Sequence, residues 1–328
     1  MLVLACIIGV PLSGSAQAGT LFPGALTVSA EPKGPSLTPH LLVLNKIHPG
    51  LGPVEVFRLF QEGQGAIETG ESVNFGLDFS TKWLTFSLHN PGSTPQTIYM
   101  ENNTTITDRI ELFRQDHEQF ISLGVQGDQV SISTRSILSR QPVFAIELQP
   151  GVHTFMLRVE AENVVQIGLK LWSYENFHQK NTVELMIIAL LLGFHIVIGL
   201  YNFFLFVSVR DRMYLTYTIY VFSNVFYQAS MLGVLQYSNF KMFGLEQLDN
   251  RIMIFTVDCV ILSALMFSYE LLGLKHQLPK ILPFMKLTAL VSVCSIFINI
   301  FFSTSFAAAI CLVNTSLTIG LLFFCGIV

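Results

Sequence analysis

From Leu287 to Val328 the chain runs for 42 residues without a charged side chain. As one helix that run would be about 63 Å long, twice the roughly 30 Å hydrocarbon thickness of a bilayer. It must fold back on itself, and Ser303-Thr304-Ser305 is the natural turn. Comparable runs precede it. Met186–Val209 and Met213–Tyr237 are uncharged, and Ile252–Leu274 is apolar apart from Asp258 and Glu270. The expectation is an α-helical transmembrane bundle over 183–328, with five spans near 183–209, 213–236, 252–273, 281–302 and 306–328. The charge is concentrated elsewhere: residues 19–182 hold 11 Lys/Arg and 16 Asp/Glu, against 7 and 6 in residues 183–328. Only 12% of the chain is charged and 51% is hydrophobic. Soluble domains carry about 25% charged residues, so a purely soluble enzyme is excluded, and so is a disordered chain. The net charge of -4 offers no basic face and argues against nucleic acid as a partner.

The N-terminus reads as a signal peptide over residues 1–18. Leu2–Val10 is apolar, and Ala16-Gln17-Ala18 fits the small-x-small cleavage rule. About nine apolar residues are too few to span a bilayer. Residues 19–36, with Pro23, Pro32, Gly34 and Pro35, read as a flexible leader. The following polar domain, 37–178, is then exported. It contains no cysteine: Cys6 lies in the signal, and Cys259, Cys294, Cys311 and Cys325 lie in the membrane block. A disulfide framework or cysteine zinc site is therefore unavailable to it, and no cofactor is expected.

The polar domain reads as all-β, a jelly roll or sandwich. Leu84, Phe86 and Leu88 alternate with Trp83, Thr85 and Ser87 before the turn sequence Asn90-Pro91-Gly92. Ile110 and Leu112 alternate with Arg109 and Glu111. Phe144, Ile146 and Leu148 share a face up to Gln149-Pro150-Gly151. The next strand aligns His153, Phe155, Leu157 and Val159, which makes His153 a core histidine rather than a ligand. A last strand points Val165, Ile167, Leu169 and Leu171 inward, with Gln166, Lys170 and Trp172 outward. Short strands at this spacing build sandwiches.

Loop charge orients the bundle. With the N-terminal domain exported, Arg210, Arg212, Lys275, Lys280 and Lys286 fall inside, against Lys241 and Arg251 outside, in keeping with the positive-inside rule. Two acids lie within the third span. Asp258 and Glu270 are about 18 Å apart along a helix and about 120° apart around it, so they cannot form one carboxylate pair. Glu270 falls near the inner interface. Asp258 is deeper and should face the bundle interior, where a structural hydrogen bond to His195 or Asn202 is the alternative to a functional role.

Several segments of the chain carry a family resemblance. In the exported domain these are Asn74-Phe75-Gly76, Trp83-Leu84 leading to Leu88-His89-Asn90, Asp108-Arg109-Ile110-Glu111-Leu112-Phe113, Pro142-Val143-Phe144 and Leu148-Gln149-Pro150-Gly151. In the membrane block they are Gly199-Leu200-Tyr201-Asn202-Phe203-Phe204 and Val209-Arg210-Asp211-Arg212-Met213-Tyr214-Leu215-Thr216-Tyr217, with Gly233 after the second span. In this order they resemble the bacterial 7TMR-DISM family, seven-transmembrane receptors with diverse intracellular signalling modules. The resemblance implies a periplasmic jelly-roll sensor domain, seven spans of which five are present, and a histidine kinase or diguanylate cyclase output module downstream.

No HExxH, GxSxG, Walker A or GxGxxG segment occurs, so an enzyme is not expected within these residues. The expectation is a signal-transduction receptor in the bacterial inner membrane. It would sense a periplasmic small molecule or glycan and relay it inward. Its expected partners are that ligand, the lipid bilayer, a cytoplasmic signalling module and a second copy of the chain in a homodimer. Trp83 and Trp172, opposite the aliphatic faces of their strands, are the candidate ligand-stacking residues, because pyranose C–H faces pack on indole. A covering second layer is the competing account of both. The alternative function is a small-solute transporter or channel, which needs polar residues converging at the midplane; Asp258, His195 and Asn202 are the candidates.

Overall fold

The computed structural model describes residues 24–327 apart from 48–49, 69, 79, 106, 128, 131–134, 136, 138, 161–163, 238–248 and 303. The expected signal peptide, the first part of the leader, most of the loop after the second span and Ser303 of the expected turn lie outside the described residues. The chain divides into two compact units after Gln179.

The first unit is β-rich. It begins with β1 (Leu26–Thr27), β2 (Lys33–Ser36), β3 (Leu42–Ile47), helix α1 (Pro53–Gln61) and β4 (Ala66–Ile67). Then come β5 (Val73–Leu77), β6 (Thr81–Asn90), β7 (Gln96–Asn102), β8 (Arg109–Asp116) and β9 (Gln119–Gln126). Last are β10 (Val143–Leu148), β11 (Gly151–Glu160), β12 (Val164–Ile167) and β13 (Leu169–Trp172). One sheet runs β4-β3-β6-β11-β8-β9, with β1 parallel to the end of β6; a second runs β10-β7-β13-β2; β12 and β5 pair separately. The two larger sheets enclose one apolar core. Leu84, Phe86, Leu88, Ile110, Leu112, Phe155, Leu157 and Val159 come from the first sheet, and Ile98, Met100, Phe144, Ile146, Leu148, Leu169 and Leu171 from the second. This is the expected sandwich.

Three expectations change. The leader is not flexible over its described part: β2 pairs with β13, and Val28 and Pro32 are buried. Gly34 and Pro35 lie within β2, an edge strand, where Pro is tolerated because no ladder N–H is needed. The last strand is two. Val165, Ile167, Leu169 and Leu171 are all buried, yet the chain breaks at Gly168, so β12 joins β5 and β13 joins β7 and β2. There a Cβ would lie 2.6 Å from the Asn103 side-chain amide, which packs over this crossing. His153 is half-buried rather than core, its Nε2 3.4 Å from the Pro150 carbonyl of the preceding turn.

The sequence reading also passed over α1. Pro53 stands at its start, where no intrahelical N–H is required. Glu55 accepts from the Gly52 N–H at 2.8 Å, and Gly63 (φ 82°) follows its end. Val56 and Phe60 face the outside of the first sheet and cover Leu42, Leu44, Trp83, Phe113 and Met156 as a second core. Both faces of β6 are therefore buried over Thr81–Phe86.

The second unit is helical. Its long helices are α2 (Tyr174–Val209, whose first residues belong to the first unit), α3 (Arg212–Met231), α4 (Asp249–Leu271), α6 (Leu282–Phe301) and α7 (Thr304–Ile327), with a short α5 (Leu274–Gln277) between. Among the described residues, four segments are long and apolar enough to cross a membrane by length and composition: Tyr174–Val209, Arg251–Leu271, Pro279–Phe301 and Phe306–Gly326. Each of the five expected spans lies on one long helix, and α3 is the one that falls short of this apolarity. α3 is 20 residues long but is interrupted by Thr216, Thr218, Asn224 and Gln228, which lower its apolarity. The α2–α3 turn is tight. Arg210 takes a left-handed conformation (φ 59°), and Asp211 caps α3 by accepting from the Met213 N–H at 2.9 Å. Gly199 lets α2 approach α3, since a Cβ there would lie 3.0 Å from the Phe222 ring. Gly273 (φ 54°) follows the end of α4.

Candidate functional site

Two groups of side chains matter: the end of the sandwich where β13 passes into α2, and the interior of the helical unit.

At the first, Trp172 is half-buried and its indole N–H donates to the Glu101 carboxylate at 2.9 Å. Glu101, on β7, is itself buried. The six-membered part of the ring packs against Gly34 of β2, where a Cβ would lie 2.5 Å from it. Ser173 then caps α2: its hydroxyl accepts from the Asn176 N–H at 3.3 Å, and its own N–H donates to the Pro32 carbonyl. Phe177 in the first turn is buried and stacks on Tyr99 of β7, with ring centroids 5.5 Å apart and planes 5° apart. Burial pushes the Tyr99 phenol above its usual pKa, with Tyr174 adding to the shift. The first turn of α2 is thus held by the second sheet.

Trp83 is placed differently. Only 1% of it is exposed, under α1, stacked on Phe113 at 5.8 Å with Arg158 over its ring. The expectation that Trp83 stands on an open face is corrected: the second layer over β6 covers it. Beside it, Lys82 is fully buried and donates to the carbonyls of Asp78 and Ser80, with the Asp78 carboxylate 3.6 Å away. Burial holds the Lys82 ammonium below the usual lysine pKa, and Asp78 offsets part of this.

In the helical unit the expected trio does not assemble. His195 and Asn202 are on α2. His195 Nδ1 lies 2.8 Å from the Leu191 carbonyl and its Nε2 is 3.5 Å from the Gln228 amide, while Asn202 donates to the Ile198 carbonyl at 2.9 Å. Asp258, on α4, faces α6 and α7 instead, with Ser292, Ser295 and Cys311 around it. The reason is helix phase: Ile254, Asp258, Ile261 and Leu265 form one buried stripe, and the stripe they meet on α6 is Met285, Thr288, Ser292, Ser295 and Asn299. The sequence reading missed that stripe. Polar residues at intervals of four, three and four within an apolar span were the available signal. Asn314 on α7 donates to Ser292 Oγ at 2.8 Å and to the Thr288 carbonyl at 3.2 Å. At one end of this seam Arg251 donates to the carbonyls of Asn299 and Ile300, and Asn299 returns a bond to the Arg251 carbonyl. A cation thereby meets the C-terminal end of α6, where the helix dipole favours it.

Comparison with known families follows this division. The family model described as 7TMR-DISM extracellular 2 matches residues 50–173, and the one described as 7TM diverse intracellular signalling matches residues 184–328. No curated protein matches the chain. The first match spans most of the sandwich and the second covers the long helices from the body of α2 onward. The chain therefore belongs to the 7TMR-DISM family, as a membrane protein that joins an extracellular β-sandwich domain to the helices of that family's seven-transmembrane domain.

Proposed function

We propose that this chain is the sensing and membrane part of a signal receptor. The sandwich takes an extracytoplasmic small molecule, and the helices relay its occupancy across the bacterial inner membrane. The observation that carries this reading is the passage from β13 into α2. β13 ends at Trp172, α2 starts at Tyr174 and continues unbroken to Val209, and Phe177 packs on Tyr99 in the sheet that β13 belongs to. Any ligand that shifts the second sheet acts on the root of a candidate spanning helix. A relay needs only differential affinity for two arrangements of that root.

The ligand class we favour is carbohydrate, with Trp172 as the stacking residue. Its half-buried indole, fixed by Glu101 and Gly34, is pre-organised, whereas Trp83 is covered. The test is binding of a panel of mono- and oligosaccharides to the full chain in lipid nanodiscs. A binder should lose about five- to tenfold in affinity in Trp172→Ala, the usual order for an aromatic contact, and keep it in Phe57→Ala, which lies on the α1 side. Saccharide binding that Trp172→Ala leaves unchanged would remove Trp172 from the site.

A second reading, small-solute transport, draws on the buried polar side chains around Asp258. It predicts solute flux in proteoliposomes, which the receptor reading does not.

A further inference from the structure

The interior shared by α4, α6 and α7 holds polar atoms for which ligand sensing in the sandwich has no use. Asp258 is fully buried; Ser292, Ser295 and Cys311 adjoin its carboxylate, but neither carboxylate oxygen has a donor at full hydrogen-bond geometry. Ser295 Oγ beside it is also buried and unbonded. Asn314 spends its amide N–H groups on Ser292 Oγ and the Thr288 carbonyl, which leaves its Oδ1 buried and unbonded. These four unbonded atoms are all oxygens, and they come from three different helices. Ser292 Oγ, which takes the Asn314 amide, adjoins the same carboxylate.

We propose that Asp258, Ser292, Ser295 and Asn314 form a binding site for a monovalent hard cation, sodium, inside the helical unit.

The argument rests on charge and on donor type. A buried carboxylate needs a counter-charge, and among the described residues no Lys, Arg or His pairs with Asp258. One carboxylate balances one positive charge. A calcium ion takes six to eight oxygens, usually several carboxylates among them, and would be left under-neutralised by Asp258 alone. Softer metals prefer imidazole and thiolate, and among the described residues no group of three or more His, Cys, Asp or Glu side chains is placed to hold a metal ion. A proton is the other monovalent solution. It neutralises Asp258, and the Ser292 and Ser295 hydroxyls can themselves donate within the cluster, so the cation series at fixed pH decides between the two. A sodium ion engages the carboxylate, two hydroxyls and an amide oxygen together, which is the set present here. Bound there, it ties α4 to α6 and α7.

The test uses the full chain in lipid nanodiscs. Radioactive sodium binding is measured at fixed pH, and thermal unfolding is followed in NaCl, KCl or choline chloride at equal ionic strength. The wild type should bind sodium saturably at one site per chain, and its Tm should rise with NaCl but not with choline chloride, as linkage to a bound ligand requires. Asp258→Asn, nearly isosteric, should abolish both effects. Ser295→Ala should raise the apparent Kd about tenfold, as loss of one polar contact does. Absence of saturable sodium binding by the wild type, or unchanged binding in Asp258→Asn, overturns the site. A Tm that follows pH but is identical in NaCl and choline chloride also overturns it, and identifies the proton as the occupant. Should Asp258→Asn fail to fold, the wild-type cation series and Ser295→Ala decide the matter, since neither requires that variant.

Discussion

Two tryptophans with the same sequence signature have opposite environments. Each stands opposite the aliphatic face of its strand, and alternation alone makes both outward. Trp83 lies on a strand covered on both sides, because α1 folds over the first sheet. Trp172 lies at the end of a strand in the other sheet, where Glu101 and Gly34 hold it half-open. Period-two alternation separates the faces of a strand and says nothing about what lies over each. Trp83→Ala should therefore cost about 3–5 kcal/mol of stability, as truncation of a buried large aromatic does, measured by chemical denaturation of the sandwich. A loss under about 1 kcal/mol would place Trp83 outside the core. Lys82 is a second residue whose burial alternation cannot convey. Lys82→Met should destabilise the domain by about 1–3 kcal/mol by orphaning the carbonyls of Asp78 and Ser80. The pH dependence has a definite sign. Because the folded state holds the Lys82 proton less tightly than the unfolded chain, wild-type stability from this group rises as pH climbs from the lowered pKa toward the ordinary 10.5. Lys82→Met should lack that alkaline increment. Asp78 acts in the opposite range. The Ser80 backbone N–H, foremost, holds its carboxyl below the usual 3.8, so its contribution is present above that pH and is lost on acidification through the lowered value.

At the scale of elements, the strongly periodic pieces were legible: β6, β8, β10 and β11 lie where alternation places them. So were the long apolar helices, within a few residues at most ends. What alternation could not reveal was a change of partner within a run. Val165 to Leu171 reads as one strand and folds as two, since Gly168 lets the chain pass close to Asn103 while every inward side chain stays inward. Nor does strand alternation convey α1, a nine-residue helix whose available signals are Pro53 at its start, Glu55 in its first turn and the i, i+4 pair Val56 and Phe60. The start of α2 was read too late, as charge count marks where the apolar run begins and not where a helix is capped. Gly34 offers a direct check on how β2 is joined to β13. It has φ 81° and the Trp172 ring against it, so Gly34→Ala is strained in backbone and in space. The variant should lose about 1–3 kcal/mol, with a change in the Trp172 fluorescence maximum; unchanged stability and emission would contradict the packing.

For the whole molecule, the expected interior site failed in a specific way. Asp258 was correctly placed inward, but its partners were sought on α2, whose polar residues bond to their own helix or to Gln228. Helix-to-helix pairing is set by phase and packing across long sequence separations, and one sequence does not display it. Orientation is a separate property, and loop charge predicts that reporter fusions after Arg212 and Lys280 give cytoplasmic signals and a fusion at Thr304 a periplasmic one. Reversed signals would invert the chain. The most direct measurement of the central claim is hydrogen exchange on the full chain in nanodiscs, with and without a saccharide that binds the sandwich. The receptor account predicts that occupancy alters exchange in the root of α2, Tyr174–Glu184, as well as in β7 and β13. Protection confined to the sandwich, with the root of α2 unchanged at saturating ligand, would contradict it.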